Sequence, residues 1–309
     1  MRSRKPASTH APGRLTPAFA CAQAIKQGLA PNAPIMVVGP EDAESHAVSC
    51  GLSVHRRIAS PIGMPRLGRP ALRSLVGGVD RIICWSDELI GMATGIAEHA
   101  ELISTAPHLC TVPARKIANV SCLTDHDASI WADRGIVTEL LKINPGVLRQ
   151  QDQRETAREL LGIAPETLVF IAIADQPEHA DARGLVFLMT VLDATKFRVQ
   201  AIIPKHARNA AAARRHHRAI GNQYPLWLSE RTPLEWLRVA DLAALPASDG
   251  SGSDLLLELM CESQGCPVIR LDSGGTARIG PDGTGEQSLL EELDELVQLK
   301  QRARTHGEA

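Results

Sequence analysis

The sequence predicts an α/β protein built from two doubly wound parallel sheets, and three observations lead to this class. Short apolar runs recur along the chain, for example IMVVG at residues 35–39 and TLVFIAIA at residues 167–174. Amphipathic helical patterns lie between most of these runs, and strands that alternate with helices are typical of a mainly parallel sheet. With 309 residues the chain is long enough for two domains, since a domain usually has roughly 100–200 residues.

The first half of the chain begins with a helical pattern at residues 15–28, in which Pro17 suits a first helical turn. Further strand-like runs follow IMVVG, because each is a short apolar segment bounded by polar or turn residues. We expect strands at residues 80–85, 101–105, 117–122 and 140–144, and helices at residues 87–99 and 125–134.

A polar stretch and a charged helix at residues 149–164 separate this half from a second α/β series. Such a change of composition is typical of a domain linker. In the second series we expect strands at 167–174, 197–204, 225–228 and 241–246, and helices at 184–193, 206–220, 232–239 and 287–304. The predicted organisation is a tail at 1–12, an N-terminal doubly wound domain at 13–148, a linker helix at 149–164, a C-terminal doubly wound domain at 165–300 and a tail at 301–309.

Composition limits the classes of partner and the compartment. The formal net charge of -2 gives no electrostatic reason to expect nucleic acid or an anionic membrane surface as a partner. The seven cysteines form no CxxC pair, which favours buried reduced thiols in a cytoplasmic protein. No apolar run reaches the roughly 18 residues of a membrane helix, and the basic start MRSRKPASTHAPGR lacks the apolar region of a signal peptide.

Residues 246–278 contain the strongest candidate for a binding site. An acidic, glycine-punctuated loop, DGSGSD at residues 249–254, leads into an apolar helical run that carries Glu258. A buried-strand pattern, GCPVI at residues 265–269, and a second glycine turn, SGG at residues 273–275, follow. Because the first N–H groups of a helix are unpaired and its dipole favours negative charge, such a loop can hold a phosphate group.

The order of these motifs resembles the GT-B glycosyltransferases of the retaining group 1, or family 4, type. The resemblance is clearest from residue 117 to the C-terminus. It includes NPGV at residues 144–147, RELLGI at residues 158–163, Arg183-Gly184, the loop and helix with Asp249 and Glu258, and GG…DGTG at residues 274–285. Each motif is weak alone, and together they are moderately specific for the fold.

This resemblance implies two Rossmann-like domains that face a cleft. It also implies transfer of a sugar, with retention, from a nucleotide-diphosphate sugar to a sugar or lipid-linked acceptor, as in polysaccharide biosynthesis. The resemblance implies no metal or other cofactor. By resemblance the catalytic residues are Asp249, which faces the donor sugar, and His108. The implied donor-binding residues are Glu258 on the ribose hydroxyls, the loop residues Gly250, Ser251, Gly252 and Ser253, the cations Arg183 and Lys205, and the turn residues Gly274 and Gly275.

The sequence also departs from the family pattern. The family has Gly-Arg where this chain has Asp175-Gln176, so a carboxylate replaces a phosphate-binding cation. The family's next Gly-x-Gly is replaced by Ile203-Pro204-Lys205, and no apolar strand precedes Gly13. These departures keep open a second hypothesis, a catalytically degenerate protein of the same fold that acts as a binding or scaffold partner. A sugar-nucleotide epimerase is a third.

Simpler interpretations also stand for the individual residues. Glu258 is equally compatible with a solvent-facing helix position, and Asp249 with a helix cap or turn. The glycine loops are compatible with tight turns, Arg183 with a surface charge, and His108 with a structural role. His126 lies between two aspartates, but no further ligand follows at metal-site spacing.

Overall fold

The structure, a computed structural model, describes residues 14–28, 33–39, 41–59, 68–76, 79–143, 154–176, 179–180, 182–194, 198–207, 209–219, 226–229, 233–271 and 277–279. The tail predicted at 1–12, the helix predicted at 287–304, and Gly274 and Gly275 lie outside the described residues. Within the described part of the chain, no helix is long and apolar enough to cross a membrane.

A four-stranded parallel sheet in the first half has the strand order β3-β4-β5-β6. Two earlier strands, β1 and β2, pair with each other in a separate parallel ribbon. The elements of this half are α1 (Thr16–Lys26), β1 (Ile35–Gly39), α2 (Glu41–Ser49), β2 (Val54–Ala59), α3 (Arg69–Val76), β3 (Arg81–Cys84), α4 (Ile90–Ala93), β4 (His99–Ser104), β5 (Asn119–Cys122), α5 (Asp125–Asp133) and β6 (Glu139–Leu140).

A six-stranded sheet in the second half has the order β12-β11-β10-β7-β8-β9. Its strands are parallel except for the antiparallel pair β11–β12. The elements are α6 (Arg154–Leu160), β7 (Leu168–Ala172), α7 (Ala182–Ala194), β8 (Val199–Pro204), α8 (Ala210–Ala219), β9 (Leu226–Ser229), α9 (Pro233–Leu237), β10 (Leu242–Pro246), α10 (Gly252–Ser263), β11 (Val268–Leu271) and β12 (Ala277–Ile279).

The first helix packs against the second sheet. Leu15 and Phe19 lie in one buried cluster with Ile171 of β7 and with Leu257 and Met260 of α10. Burial of apolar side chains from distant parts of the chain is the main favourable contribution to such a contact. The start of α1 and the start of α10 are thereby held close together.

A buried ion-pair network attaches α6 to the second sheet. Arg158 of α6 donates to the carbonyl of Val239 and to Oδ2 of Asp241, both at 3.0 Å. The same Oδ2 accepts the backbone N–H of Val169 at 2.8 Å, and Arg154 binds Oδ1 of Asp241 at 2.7 Å. The predicted linker helix is therefore fixed to the ends of β7 and β10.

The helix predicted at residues 87–99 is only partly present. Only Ile90–Ala93 are helical, and β4 already begins at His99. Gly95 has a φ of 79°, and Thr94 forms an isolated bridge with Ala97. A residue with positive φ interrupts a right-handed helix, so the chain turns there and enters β4.

All seven cysteines are buried and lie outside disulfides. Burial raises the pKa of the Cys84 thiol to about 12, so this thiol stays protonated and unreactive at neutral pH. The interpretation of the cysteines as buried thiols is confirmed.

Candidate functional site

The DGSGSD loop forms the N-terminus of α10 and is organised by its own side chains. Ser251 is the N-cap, and its Oγ accepts the N–H of Asp254 at 3.3 Å. Asp249 accepts the N–H of Ser251 at 2.9 Å, while the carboxylate of Asp254 accepts the N–H of Asp249 at 2.7 Å. Gly250 has a φ of 76°, which explains a glycine there. Asp249 is therefore a turn residue beside the cap.

The first turn of α10 contacts the carboxyl ends of the other sheet. Gly252 donates its N–H to Oδ2 of Asp127 at 2.7 Å. Ser253 donates both its N–H and its hydroxyl to the carbonyl of Thr105, each at 2.9 Å. Ligands of parallel α/β sheets bind at the carboxyl ends of the strands, and both sheets present those ends to the same helix terminus.

Gly252 is required by this close contact. A Cβ built on it would lie 2.7 Å from Oδ2 of Asp127, 3.2 Å from Cβ of Leu123 and 3.3 Å from the backbone of Thr105. No side chain fits between the two sheets at this point. Gly252 thus allows another group to lie close to the backbone of α10. In this structure that group is the carboxylate of Asp127.

Asp127 is fully buried and only partly satisfied. Its Oδ1 has no hydrogen-bond partner within the described part of the chain. Burial raises the pKa of Asp127 from 3.8 to about 6, against the N–H of Gly252, which lowers it. The carboxylates of Asp87 and Asp249 raise the pKa further, and His126 lowers it. The ionised form of Asp127 is therefore less stable in the folded protein than in water.

Because the folded-state pKa of Asp127 is about 6 and its usual value is 3.8, the folded protein binds more protons than the unfolded chain between these values. Stability then falls as the pH rises through this window. Asp127→Asn keeps an acceptor for Gly252 but cannot ionise, so it should not lose this stability as the pH rises. The melting temperature of the variant minus that of wild type should therefore increase from about pH 4 to about pH 7. Asp133→Asn, an exposed site on the same helix, is the matched control. A difference independent of pH would contradict the assignment.

Asp87 holds the Thr105 segment in place. Its carboxylate is buried and accepts the N–H groups of Thr105 and Ala106, each at 2.9 Å, and the hydroxyl of Ser104. The indole N–H of Trp131 donates to Ser104 at 2.8 Å. The segment that meets α10 is thus positioned by a buried acid and a core tryptophan.

Arg14 joins three segments at the same place. Its Nε binds Asp175, and its Nη2 reaches the hydroxyls of Ser253 and, at 3.4 Å, Thr105. Asp175 also accepts the N–H of Thr16 at 2.9 Å and its hydroxyl at 2.7 Å. The carboxylate that departs from the family pattern therefore caps α1 and pairs with an arginine.

Glu258 points to a buried arginine of the next strand. Arg270 donates through Nε to Oε1 of Glu258 at 2.8 Å, and to the carbonyl of Pro246 at 3.0 Å. The guanidinium also lies 3.6 Å from Asp254, whose pKa is raised by burial. Glu258 is half-buried, so it is not a freely solvated helix residue.

The remaining predicted residues belong to elements other than α10. His108 lies in a 3-10 turn, Pro107–Leu109, and is exposed. Burial opposes ionisation of Asp249, but hydrogen bonds within the loop and the nearby His108 lower the pKa of Asp249. Lys205 is exposed just after β8, and its N–H donates to Ser229 at 2.9 Å. Arg183 lies in the first turn of α7.

Arg14, Asp87, Thr105 and Asp127 were not among the predicted site residues. Asp127 carried a signal, because it lies in the first turn of a helix that follows a predicted strand. Arg14 carried none, since it adjoins the predicted tail. Among the described residues, no group of three or more His, Cys, Asp or Glu side chains could hold a metal ion.

A pocket of about 490 Å³ lies elsewhere, among helices and loops of the first half of the chain. It is lined by Arg69, Thr94, Gly95, Thr111 and Lys116 among others. Arg69 donates to the carbonyl of Thr94 at 2.8 Å. None of the residues that meet at α10 lines this pocket, so the pocket and the cluster of buried polar groups lie at different places. The start of α10 is the better candidate because charged groups from both sheets converge there.

The two sheets and the site between them define a fold class, the GT-B arrangement of two Rossmann-like domains. No protein-family model and no curated protein matches the sequence. Solved structures show the likeness. HepE from Anabaena, crystallised with UDP and glucose, has a TM-score of 0.57 and 14% identity, over 87% of this chain and 78% of that chain. UDP-GlcNAc 2-epimerase from Neisseria meningitidis, bound to UDP-GlcNAc, has a TM-score of 0.54 and 10% identity, over 94% of this chain and 91% of that chain.

Proposed function

We propose that the protein binds a nucleotide-diphosphate sugar between its two sheets and transfers the sugar to a sugar or lipid-linked acceptor with retention, without a metal or other cofactor. The observation that carries this proposal is the start of α10, where N–H groups of Gly252 and Ser253 meet the carboxyl ends of both sheets. An anion is favoured at such a helix terminus. A reducing compartment such as the cytoplasm suits the seven buried thiols.

The surrounding groups suit the other parts of a donor. Arg270 fixes the carboxylate of Glu258 beside α10, and a carboxylate accepts hydrogen bonds from a ribose diol with charge assistance. Asp249 and His108 are both exposed, and His108 is close enough to Asp249 to lower its pKa, so both are accessible to a donor sugar. Arg183, Lys205, Gly274 and Gly275 complete the proposed donor site by resemblance.

One observation favours the alternative of a degenerate binding or scaffold protein. The N–H groups of Gly252 and Ser253 are already bound by Asp127 and Thr105 of the same chain. If α10 served only to join the two domains, Gly252 and Ser253 would keep these hydrogen bonds and would bind no ligand.

Calorimetric titration with UDP, ADP, GDP and TDP distinguishes these functions, because two fold relatives have UDP-containing ligands. We expect at least one nucleoside diphosphate to bind. The corresponding nucleotide sugar should then release the nucleoside diphosphate when a sugar or lipid-linked acceptor is present. The transferred sugar should keep the anomeric configuration that it has in the donor. Binding without turnover favours the degenerate protein, and a changed sugar without transfer favours an epimerase. No binding by any nucleotide contradicts the proposed donor site.

The role of Glu258 can be tested with a matched pair of variants on one helix. Glu258→Gln removes the charge that a ribose diol would meet and should weaken nucleotide binding by at least ~10-fold, since a charge-assisted hydrogen bond contributes about 1.5–3 kcal/mol. Glu262→Gln, an exposed site on α10, should leave the dissociation constant unchanged. Equal affinities for the two variants would refute the ribose role.

A further inference from the structure

The N-terminus of α10 holds an anion in this structure, and that anion is a side chain of the protein. Gly252 donates to Asp127 Oδ2 at 2.7 Å, across 125 residues of sequence. The first N–H groups of α10, which have no acceptor within the helix itself, and the dipole of its 12 residues stabilise a negative charge at this position. Asp127 thus stands where a phosphate oxygen would be bound.

The carboxylate of Asp127 is incompletely hydrogen-bonded at the start of α10. It is fully buried, and its Oδ1 lacks a partner among the described residues. A buried carboxylate with an unpaired oxygen has a desolvation cost that its single strong hydrogen bond only partly offsets. The raised pKa of Asp127, caused first by burial, agrees with this geometry. A ligand with more charge and more acceptor atoms can therefore replace it.

Arg14 provides a cation at the same helix terminus. Its side chain is 7% exposed, and its Nη2 binds the hydroxyl of Ser253. Its Nη1 is buried without a hydrogen-bond partner within the described ranges. Asp175 balances part of the charge through Nε, and Nη1 remains as a donor beside the first turn of α10. Arginine is the side chain best suited to bind phosphate oxygens in this way.

We propose that Asp127 is an internal competitor for the anion site at the start of α10, and that Arg14 is the cation of that site. In the ligand-free protein the Asp127 carboxylate takes the place of a ligand phosphate. When a diphosphate binds, it displaces Asp127 from Gly252 and accepts a hydrogen bond from Nη1 of Arg14. The ligand class, a diphosphate, rests on the proposed function, but the site itself requires only an anion.

Titration calorimetry with inorganic pyrophosphate tests this proposal without a nucleotide. Asp127→Ala should bind pyrophosphate at least 10-fold more tightly than wild type, because the competing carboxylate is gone. Asp127→Asn, which keeps the acceptor without the charge, should lie between them. Asp133→Ala, on an exposed position of the same helix, should match wild type. Circular dichroism of each variant shows that it is folded.

The second comparison addresses Arg14. Arg14→Gln in the Asp127→Ala background should abolish the gain in affinity, and a gain that survives this change overturns the role of Arg14. Equal pyrophosphate affinities of wild type, Asp127→Asn and Asp127→Ala overturn the role of Asp127. If wild type binds UDP through Glu258 but no variant gains pyrophosphate affinity, the proposed function stands and this inference falls. If pyrophosphate affinity is gained but no nucleotide binds, the inference stands and the proposed function falls.

Discussion

Replacing Asp241 with alanine is expected to lower the free energy of unfolding by about 3–5 kcal/mol, the cost typical of breaking a buried ion pair on one side. Asp241 is 3% exposed and accepts hydrogen bonds from Arg154, Arg158 and the backbone of Val169. Without the carboxylate, the buried Arg158 guanidinium loses this charged partner and keeps the carbonyls of Val239 and Thr167. The N–H of Val169 loses its side-chain acceptor.

This change can be measured by differential scanning calorimetry of the transition that includes the second sheet. For a unit of this size the loss corresponds to a decrease in melting temperature of roughly 10 °C. Glu155→Ala removes an equal charge from an exposed position on α6 and should change the melting temperature by less than about 2 °C. A small effect of Asp241→Ala would show that α6 is not fixed to the sheet through this acid.

Replacing Asp87 with alanine is expected to cost about 2–5 kcal/mol, because each buried N–H left without a partner costs about 1–3 kcal/mol. The two N–H groups concerned belong to Thr105 and Ala106. Thr105 is also the residue whose carbonyl binds Ser253 at the start of α10. The variant should therefore both destabilise the first sheet and loosen its contact with the second.

Chemical denaturation of Asp87→Ala, Asp87→Asn and Asp133→Ala separates these effects. Asp87→Asn keeps one acceptor oxygen and should lose less stability than alanine, while the exposed Asp133 control should lose almost none. Equal loss in the alanine and asparagine variants would contradict the role of the carboxylate as an acceptor for the two N–H groups.

The fold could be predicted from the sequence where strands are buried on both faces. The runs that became β7 and β10 are almost wholly buried, so they are continuous in apolar residues and easily recognised. Strand β2, VHRRIA, was missed because most of its side chains are partly or fully exposed. The helix expected at 87–99 was wrong over much of its length because Gly95 and the early start of β4 interrupt the periodic pattern.

The candidate site could be predicted only in part, for a physical reason. The hydrogen bonds that form the cap and the turn of the DGSGSD loop join residues close in sequence, so the sequence predicts them. The groups that meet it are distant in sequence, since Arg14 and Ser253 lie 239 residues apart. Such contacts depend on how the two sheets meet, which periodicity does not encode. The carboxylate of Asp175 looked unfavourable for a phosphate site, but its partners, Arg14 and the N–H groups of α1, supply a structural reason for it.

A crystal structure of the protein with UDP would show whether the start of α10 is the diphosphate site. We expect diphosphate oxygens within hydrogen-bond distance of the N–H of Gly252 and of Arg14, with Asp127 displaced from Gly252. UDP bound elsewhere, or bound while Asp127 still accepts the N–H of Gly252, would contradict it.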